Sequence, residues 1–342
     1  MAPAPRLTSN PTTVRPLPQP GRGIAVISER ESLGDGFYKL DLLRALRRAY
    51  PGEKITWIVS EGDSPYRTSM AGIVAPLIDN LIVHAHLRRP WLAAIGRLRA
   101  LPHYGLTIDN RTNNAVVAAT RLLLPTDIYQ AATPGFLFCR YRPKGPRPEH
   151  KLARLMTLLE AAAGCPVDGS GEIELPRSAS EEAARLLPDG RRYIGMAPGA
   201  TSAWRRWPLE NYVALSRWIS AQGWQPVFLL GPIEREALPV LRQAVPEALF
   251  PGCSESEPQA TIELSLALSR RFSAAVGHDT GSSHLMAEAG TPLVTLFGKS
   301  KSARWAPNAR RGILVQARDH GGRDIELIPL DAVTDALRKL LD

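Results

Sequence analysis

The sequence predicts an α/β protein built from two Rossmann-like domains in series, with a ligand cleft between them at the carboxyl ends of their strands. Three observations carry that reading. From Ile24 onward, short apolar runs fit for buried parallel strands alternate with stretches of helical spacing. A connector punctuated by Pro and Gly then interrupts the pattern near mid-chain. After it, from Tyr193, the same alternation restarts. Open sheets of this kind bind ligands outside the carboxyl ends of their strands.

Each element follows from its own stretch. In the first half, "GIAVIS", "KITWIVS", "NLIVHAH", "YGLTID" and "TDIYQA" read as strands. The helical stretches between them are "YKLDLLRALRRAY", Tyr66 to Leu77, "PWLAAIGRLRAL" and "NNAVVAATRLLL". A long helix follows within "HKLARLMTLLEAAAG". In the second half, "RYIGMAPG", "QPVFLLG", "FSAAVG", "PLVTLFG" and "GILVQA" read as strands. Their helices are "LENYVALSRWISAQG", "EREALPVLRQAV", "TIELSLALSRR", "SSHLMAEAG" and "LDAVTDALRKLLD". Residues 1–22, rich in Pro with some Thr and Asn and without a signal-peptide apolar stretch, are expected to be a disordered tail. The expected boundaries are therefore 23–175 for the first domain, 176–191 for a linker region and 192–342 for the second.

Composition bounds the function. With 342 residues, 44% hydrophobic and 22% charged, the chain is a globular protein of two ordinary domains. The net charge of +9 is scattered, which suits an anionic partner such as a nucleotide, phosphorylated glycan or acidic membrane surface. No nucleic-acid motif is present, and aromatics are not interleaved with the basic residues. Cys139, Cys165 and Cys253 lack CxxC spacing and read as thiols of a reducing compartment. No run reaches 18 apolar residues, so no transmembrane helix is expected and the location is read as cytoplasmic.

Four strand-to-helix loops hold the candidate chemistry. In "SERESLGDGFY", Asp35 just before a helix is a turn residue, a helix cap, a general base, or more than one of these. The absence of GxGxxG there argues against a dinucleotide site. In "APGATSAWRRWP", Gly199, Thr201, Ser202 and Arg205 combine close backbone approach, hydroxyls and a cation, which describes either a diphosphate cradle or a solvated loop. In "LLGPIERE", Glu234 is placed to accept from a ribose diol or to favour a helix N-terminus. In "GHDTGSSHLMAEAGTPLVTLFG", one cap would suffice, yet Asp279, Thr280, Gly281 and His284 crowd polar groups at a helix start, where anions bind well. A buried core histidine is the alternative for His284.

Two further features carry weaker signals. His84 and His86 alternate on an expected strand and so share a face, but no third metal ligand is close in sequence. The basic run Arg140, Arg142, Lys144, Arg147 lies in a Pro-rich connector and reads as a solvated loop or a contact for an anionic acceptor or lipid headgroups.

Together these loops resemble glycosyltransferase family 9, the ADP-heptose:lipopolysaccharide heptosyltransferases. The most specific match is "DTGSSHLMAEAGTPLVTLFG" followed by "ARWAP" at Ala303 to Pro307. It resembles the family's D-[ST]-G-x-x-H block and downstream R-W-x-P. "APGATSAWRRWP" resembles P-G-A…K-x-W-P, and "LGDGFYKLDLLRALRRAYPGEKITWIV" resembles the first strand-to-helix loop. The resemblance runs from about Ile24 to Leu341.

The resemblance implies a GT-B fold with the acceptor on the first domain and the donor on the second. It implies an inverting, metal-independent transfer with no cofactor, a nucleotide-sugar co-substrate (ADP-heptose), and a lipopolysaccharide core or other glycan as acceptor. Peripheral contact with the cytoplasmic face of the inner membrane is compatible with it. On this view Asp35 is the general base, and Asp279, Thr280, Gly281 and His284 hold the diphosphate. Arg205 stands where the family has lysine, keeping the charge but presenting a fork. Glu234 falls where a ribose carboxylate is expected. Gly36, Phe37, Asp41 and "IDNRTNN" depart from the family on the acceptor side. The rival readings are a catalytically idle nucleotide- or glycan-binding protein and a GT-B-fold nucleotide-sugar epimerase.

Overall fold

A computed structural model describes residues 13–88, 91–200, 202–253 and 261–342, and the chain divides into two compact units. The first comprises Met1–Glu31, Lys39–Ser64 and Val74–Gly171; the second comprises Ser32–Tyr38, Pro65–Ile73 and Glu172–Asp342. Asp35, expected in the first domain, thus clusters with the second unit. So does most of the expected linker, where helix Arg177–Leu186 buries Ala183 and is followed by buried Leu187.

In the first unit, β1 (Ile24–Ser28), β2 (Ile55–Val59), β3 (Asn80–Ile82), β4 (Tyr104–Asp109) and β5 (Thr126–Ala131) form a parallel sheet ordered β3-β2-β1-β4-β5. β1, β2 and β4 are buried along their whole length, which is why they read as continuous apolar runs. Asn113 caps helix Asn114–Leu123, its side chain accepting from the Ala115 and Val116 amides at 3.1 and 3.2 Å.

Two expectations in this unit need correction, and one departure from the family pattern is given a structural role. From residue 13, the stretch expected to be disordered is packed: Leu17 is buried, and Arg15 Nη1 donates to the Ala161 and Ala162 carbonyls at 3.0 Å each. The Gly21 and Gly23 amides donate to the Glu53 carboxylate at 2.8 Å each. β3 ends at Ile82, and His84 and His86 take φ of 51° and 49°, so strand alternation does not relate them. "IDNR" forms a core pair: Arg111 donates to both oxygens of buried Asp109 at 2.9 and 2.6 Å, and Tyr129 adds a hydroxyl at 2.6 Å. Burial, with the Asp109 carboxylate adding to it, holds the Tyr129 hydroxyl well above its usual pKa.

In the second unit, β6 (Tyr193–Ala197), β7 (Gln225–Phe228), β8 (Phe272–His278), β9 (Leu293–Phe297) and β10 (Gly312–Gln316) form a second parallel sheet, ordered β10-β9-β8-β6-β7. The order reverses between β6 and β8, which pair directly. A crevice at such a switch point is where ligands bind in doubly wound sheets. Ile194, Met196, Trp207, Tyr212, Phe228 and Val276 anchor the core beneath it.

Candidate functional site

The loops leaving β6 and β8 meet at the switch point of the second sheet. After β8, Thr280 is the N-cap of helix Gly281–Glu288 with extended backbone, and its side chain makes no capping bond. The first amides of the helix therefore lack the usual side-chain acceptor and point outward with the positive end of the helix dipole. The Thr280 hydroxyl is buried without a partner among the described residues. After β6, the 3₁₀ turn Ala203–Arg205 sets Arg205 Nη1 3.2 Å from the Asp279 carbonyl and 4.0 Å from its carboxylate. Its buried Nε has no partner among the described residues. The guanidinium also lies 4.7 Å from the centre of the Trp204 ring.

Asp35 reaches the same place on helix Leu33–Tyr38 of the second unit. It lies inside the first turn rather than before the helix. Ser32 and Asp35 form a reciprocal cap: the Ser32 amide and hydroxyl donate to Asp35 Oδ2 at 3.1 and 2.7 Å, and Ser32 Oγ accepts from the Asp35 amide at 3.3 Å. Ser32, not Asp35, therefore stands at the cap position, and Asp35 is its partner within the first turn. This helix crosses the start of helix Gly281–Glu288 at two glycines, and Tyr38 packs with the His284 ring at 6.2 Å between centroids.

A cavity of about 490 Å³ results. Of the sequence-derived candidates, Asp35, Gly199, Arg205, Glu234, Asp279, Thr280, Gly281 and His284 line it. Ser202 lines neither this cavity nor its neighbour. Thr201 lies outside the described residues. A second cavity of about 530 Å³ shares Gly199 and Glu234 with the first and adds Trp207, Leu209 and Ala237. A Cβ on Gly199 would come within 1.9 Å of a Glu234 carboxylate oxygen, and one on Gly231 within 2.5 Å of the other. A side chain at either position would displace the Glu234 carboxylate from where it stands.

Tyr38, Ser32 and Trp305 are lining residues that single-loop reasoning passed over. The "ARWAP" block was the one signal for Trp305. His278 is the opposite case, a histidine beside the site that serves the core. Its Nε2 accepts from the Trp207 amide at 3.0 Å and lies 3.0 Å from the Tyr212 hydroxyl. Because Nε2 accepts, the network assigns the proton to Nδ1, which faces the Gly199 backbone without a bond of regular geometry. Burial pushes the ring's pKa down to about 4, and the nearby Arg206 charge adds to the effect.

Among the described residues, no group of three or more His, Cys, Asp or Glu is placed to hold a metal, and no helix is long and apolar enough to cross a membrane.

Two doubly wound parallel sheets, the second opening a polar cavity at its switch point, define an α/β protein of the GT-B fold. The chain belongs to glycosyltransferase family 9 (heptosyltransferase), whose profile matches residues 128–324, more than half of its length. It is 28% identical over 138 residues to lipooligosaccharide heptosyltransferase 2 of Haemophilus influenzae, covering 40% of this chain and 39% of that protein. It is 24% identical over 163 residues to lipopolysaccharide heptosyltransferase 3 of Escherichia coli, covering 44% of this chain and 48% of that protein. The matches thus span less than half of these curated relatives. Its fold resembles a family 9 glycosyl transferase from Veillonella parvula, with a TM-score of 0.69, 19% identity and coverage of 94% of this chain and 98% of that one. It also resembles E. coli heptosyltransferase WaaC with ADP, with a TM-score of 0.65, 18% identity and coverage of 93% and 99%.

Proposed function

We propose that this chain is an inverting, metal-independent glycosyltransferase that moves heptose from ADP-heptose to a lipopolysaccharide core or related surface glycan. The observation that carries the proposal is the joint lining of one cavity by Asp35 and by the Thr280–His284 helix start with Arg205. The relatives' names speak of heptosyltransferases, and one similar fold was solved with ADP.

In this mechanism the Asp35 carboxylate takes the proton of an acceptor hydroxyl as that oxygen attacks the anomeric carbon. The bond to the diphosphate oxygen breaks on the opposite face, so the configuration inverts. The charge left on the diphosphate is met by the uncapped amides at Gly281 and Ser282, the Thr280 hydroxyl, the Arg205 guanidinium and His284. These dipoles and cations do the work that a divalent ion would otherwise do. Glu234, at the junction of the two cavities, accepts from the ribose diol, and the larger cavity takes the base. Glycan acceptors of this kind are carried on lipid. Exposed Leu137 and Phe138, next to exposed Arg140, Arg142 and Lys144, suit peripheral contact with an anionic cytoplasmic leaflet. No nucleic-acid partner enters this reading.

One observation favours a second reading: the Asp35 carboxylate is already held by its own cap. In that case the chain is an idle nucleotide- or glycan-binding protein. Calorimetry with ADP, UDP and GDP, followed by incubation with ADP-heptose and heptose-deficient lipopolysaccharide, separates the readings. The proposal expects preference for ADP and an inverted glycosidic product by NMR. Binding without transfer supports the idle reading, epimer release supports an epimerase, and absence of nucleotide binding defeats the transferase and the epimerase and leaves only a glycan-binding protein.

A further inference from the structure

Helix Leu33–Tyr38 has only six residues, too few to hold its own geometry in isolation. The residues at its two ends explain how it is held. Glu31, just before the Ser32 cap, has a fully buried side chain, and Lys39, just after Tyr38, is 1% exposed. Lys39 Nζ donates to Glu31 Oε1 at 2.5 Å and to Ser28 Oγ at 2.9 Å. The same carboxylate accepts from Trp57 Nε1 at 3.2 Å and from Ser64 Oγ at 2.6 Å. Ser64 in turn precedes the 3₁₀ turn Pro65–Arg67, from which the Tyr66 hydroxyl donates to the Gly36 carbonyl at 2.7 Å.

One carboxylate therefore ties down three points of the chain: the entry to the Asp35 helix, its exit, and the root of the turn that bonds its middle. A buried ion pair is a weak source of stability, because apolar residues of the same volume often do as well. A bonded pair does fix direction, since each donor must meet its lone pair. We propose that Glu31 and Lys39 form a positioning clamp that holds the Asp35 carboxylate in register with the reacting hydroxyl. The effect on turnover rests on the general-base reading of Asp35 given above; the effect on the helix does not.

The experiment compares Glu31→Gln, Ser64→Ala and the charge-free pair Glu31→Gln/Lys39→Met with wild type. Amide hydrogen exchange of Leu33–Tyr38 should quicken about tenfold or more in Glu31→Gln, with exchange in Gly281–Glu288 unchanged. With ADP-heptose and heptose-deficient lipopolysaccharide, kcat should fall at least about tenfold while ADP affinity stays within about twofold. In an Asp35→Asn background the same change should cost nothing further, because both act through one group. If Glu31→Gln does not fold, Ser64→Ala and the charge-free pair are read by the same exchange criterion. Unchanged exchange in every folded variant overturns the clamp, as does an equal loss of ADP affinity and kcat. Near-normal turnover of Asp35→Asn defeats the base reading alone, and the exchange result still decides the clamp.

Discussion

Gly34 and Gly281 meet backbone on backbone. A Cβ on Gly34 would stand 3.4 Å from the Gly281 Cα, and one on Gly281 would stand 3.3 Å from the Gly34 nitrogen. A methyl group on either glycine would have to be taken up by shifts of a few tenths of an ångström in its neighbours. The crossing is what places Asp35 and the uncapped start of helix Gly281–Glu288 in one cavity.

The first prediction follows from that contact. Alanine at position 34 would gain up to about 1 kcal/mol of helix propensity. Its methyl would also lie 3.0 Å from His284 Cδ2, and such overpacking costs about 1–3 kcal/mol. We expect Gly34→Ala to be neutral or destabilising by up to about 2 kcal/mol in urea unfolding, and to weaken ADP binding as the His284 ring yields. Gly96→Ala is the control, because a Cβ there meets nothing within 4 Å. Equal behaviour of the two variants would count against the crossing.

Diphosphate recognition predicts a loss of nucleotide affinity on truncating either Arg205 or His284. Arg205→Ala or His284→Ala should weaken ADP binding by about 1.5–3 kcal/mol, the range for hydrogen bonds to charged groups. Calorimetry measures it directly. Unchanged affinity in both variants would remove this loop from the donor site.

For Asp35 the cap and the base make opposite forecasts. Asparagine keeps an oxygen that can accept from Ser32 and loses only the charge at the helix start, so Asp35→Asn should cost the fold no more than about 1 kcal/mol and leave ADP affinity almost unchanged. It cannot accept the acceptor's proton, and kcat should fall by about a hundred- to ten-thousandfold. Wild-type turnover in this variant would leave Asp35 as a cap only.

Transfer should survive chelation. Dipoles and side-chain cations at the helix start meet the leaving charge in the proposed mechanism, so EDTA should not lower the rate. Abolition by EDTA with recovery on adding magnesium or manganese would contradict it.

Buried His278 sets a pH dependence of folding. Its pKa is about 4 in the folded chain and about 6.5 when exposed. Below pH 6.5 the unfolded chain takes up a proton that the folded chain refuses, so stability is full above that pH and declines toward pH 4. The loss from this group reaches about 3 kcal/mol at the lower end. Urea unfolding between pH 7.5 and 4 should show the decline, and NMR should show the ring neutral to below pH 5. A His278 ring titrating near 6.5 would refute the assignment.

Alternation of apolar runs with helical periodicity determined the two α/β domains, because burial of the central strands on both faces is written locally. The four strand-to-helix loops were legible for the same reason, as glycines and polar residues standing where a bare connection needs few. Periodicity does not encode spatial adjacency. Only the tertiary structure decided that Ser32–Tyr38 clusters with the second unit, that the second sheet reverses order between β6 and β8, and that Asp35 closes a cap with Ser32. It also decided that Glu31 and Lys39 are buried partners, and that His84 and His86 leave the strand. The physical reason is common to all of these. A charge is buried, or a backbone is bent into the left-handed region, only when distant residues supply the bonds and the space, and that supply depends on how the chain packs.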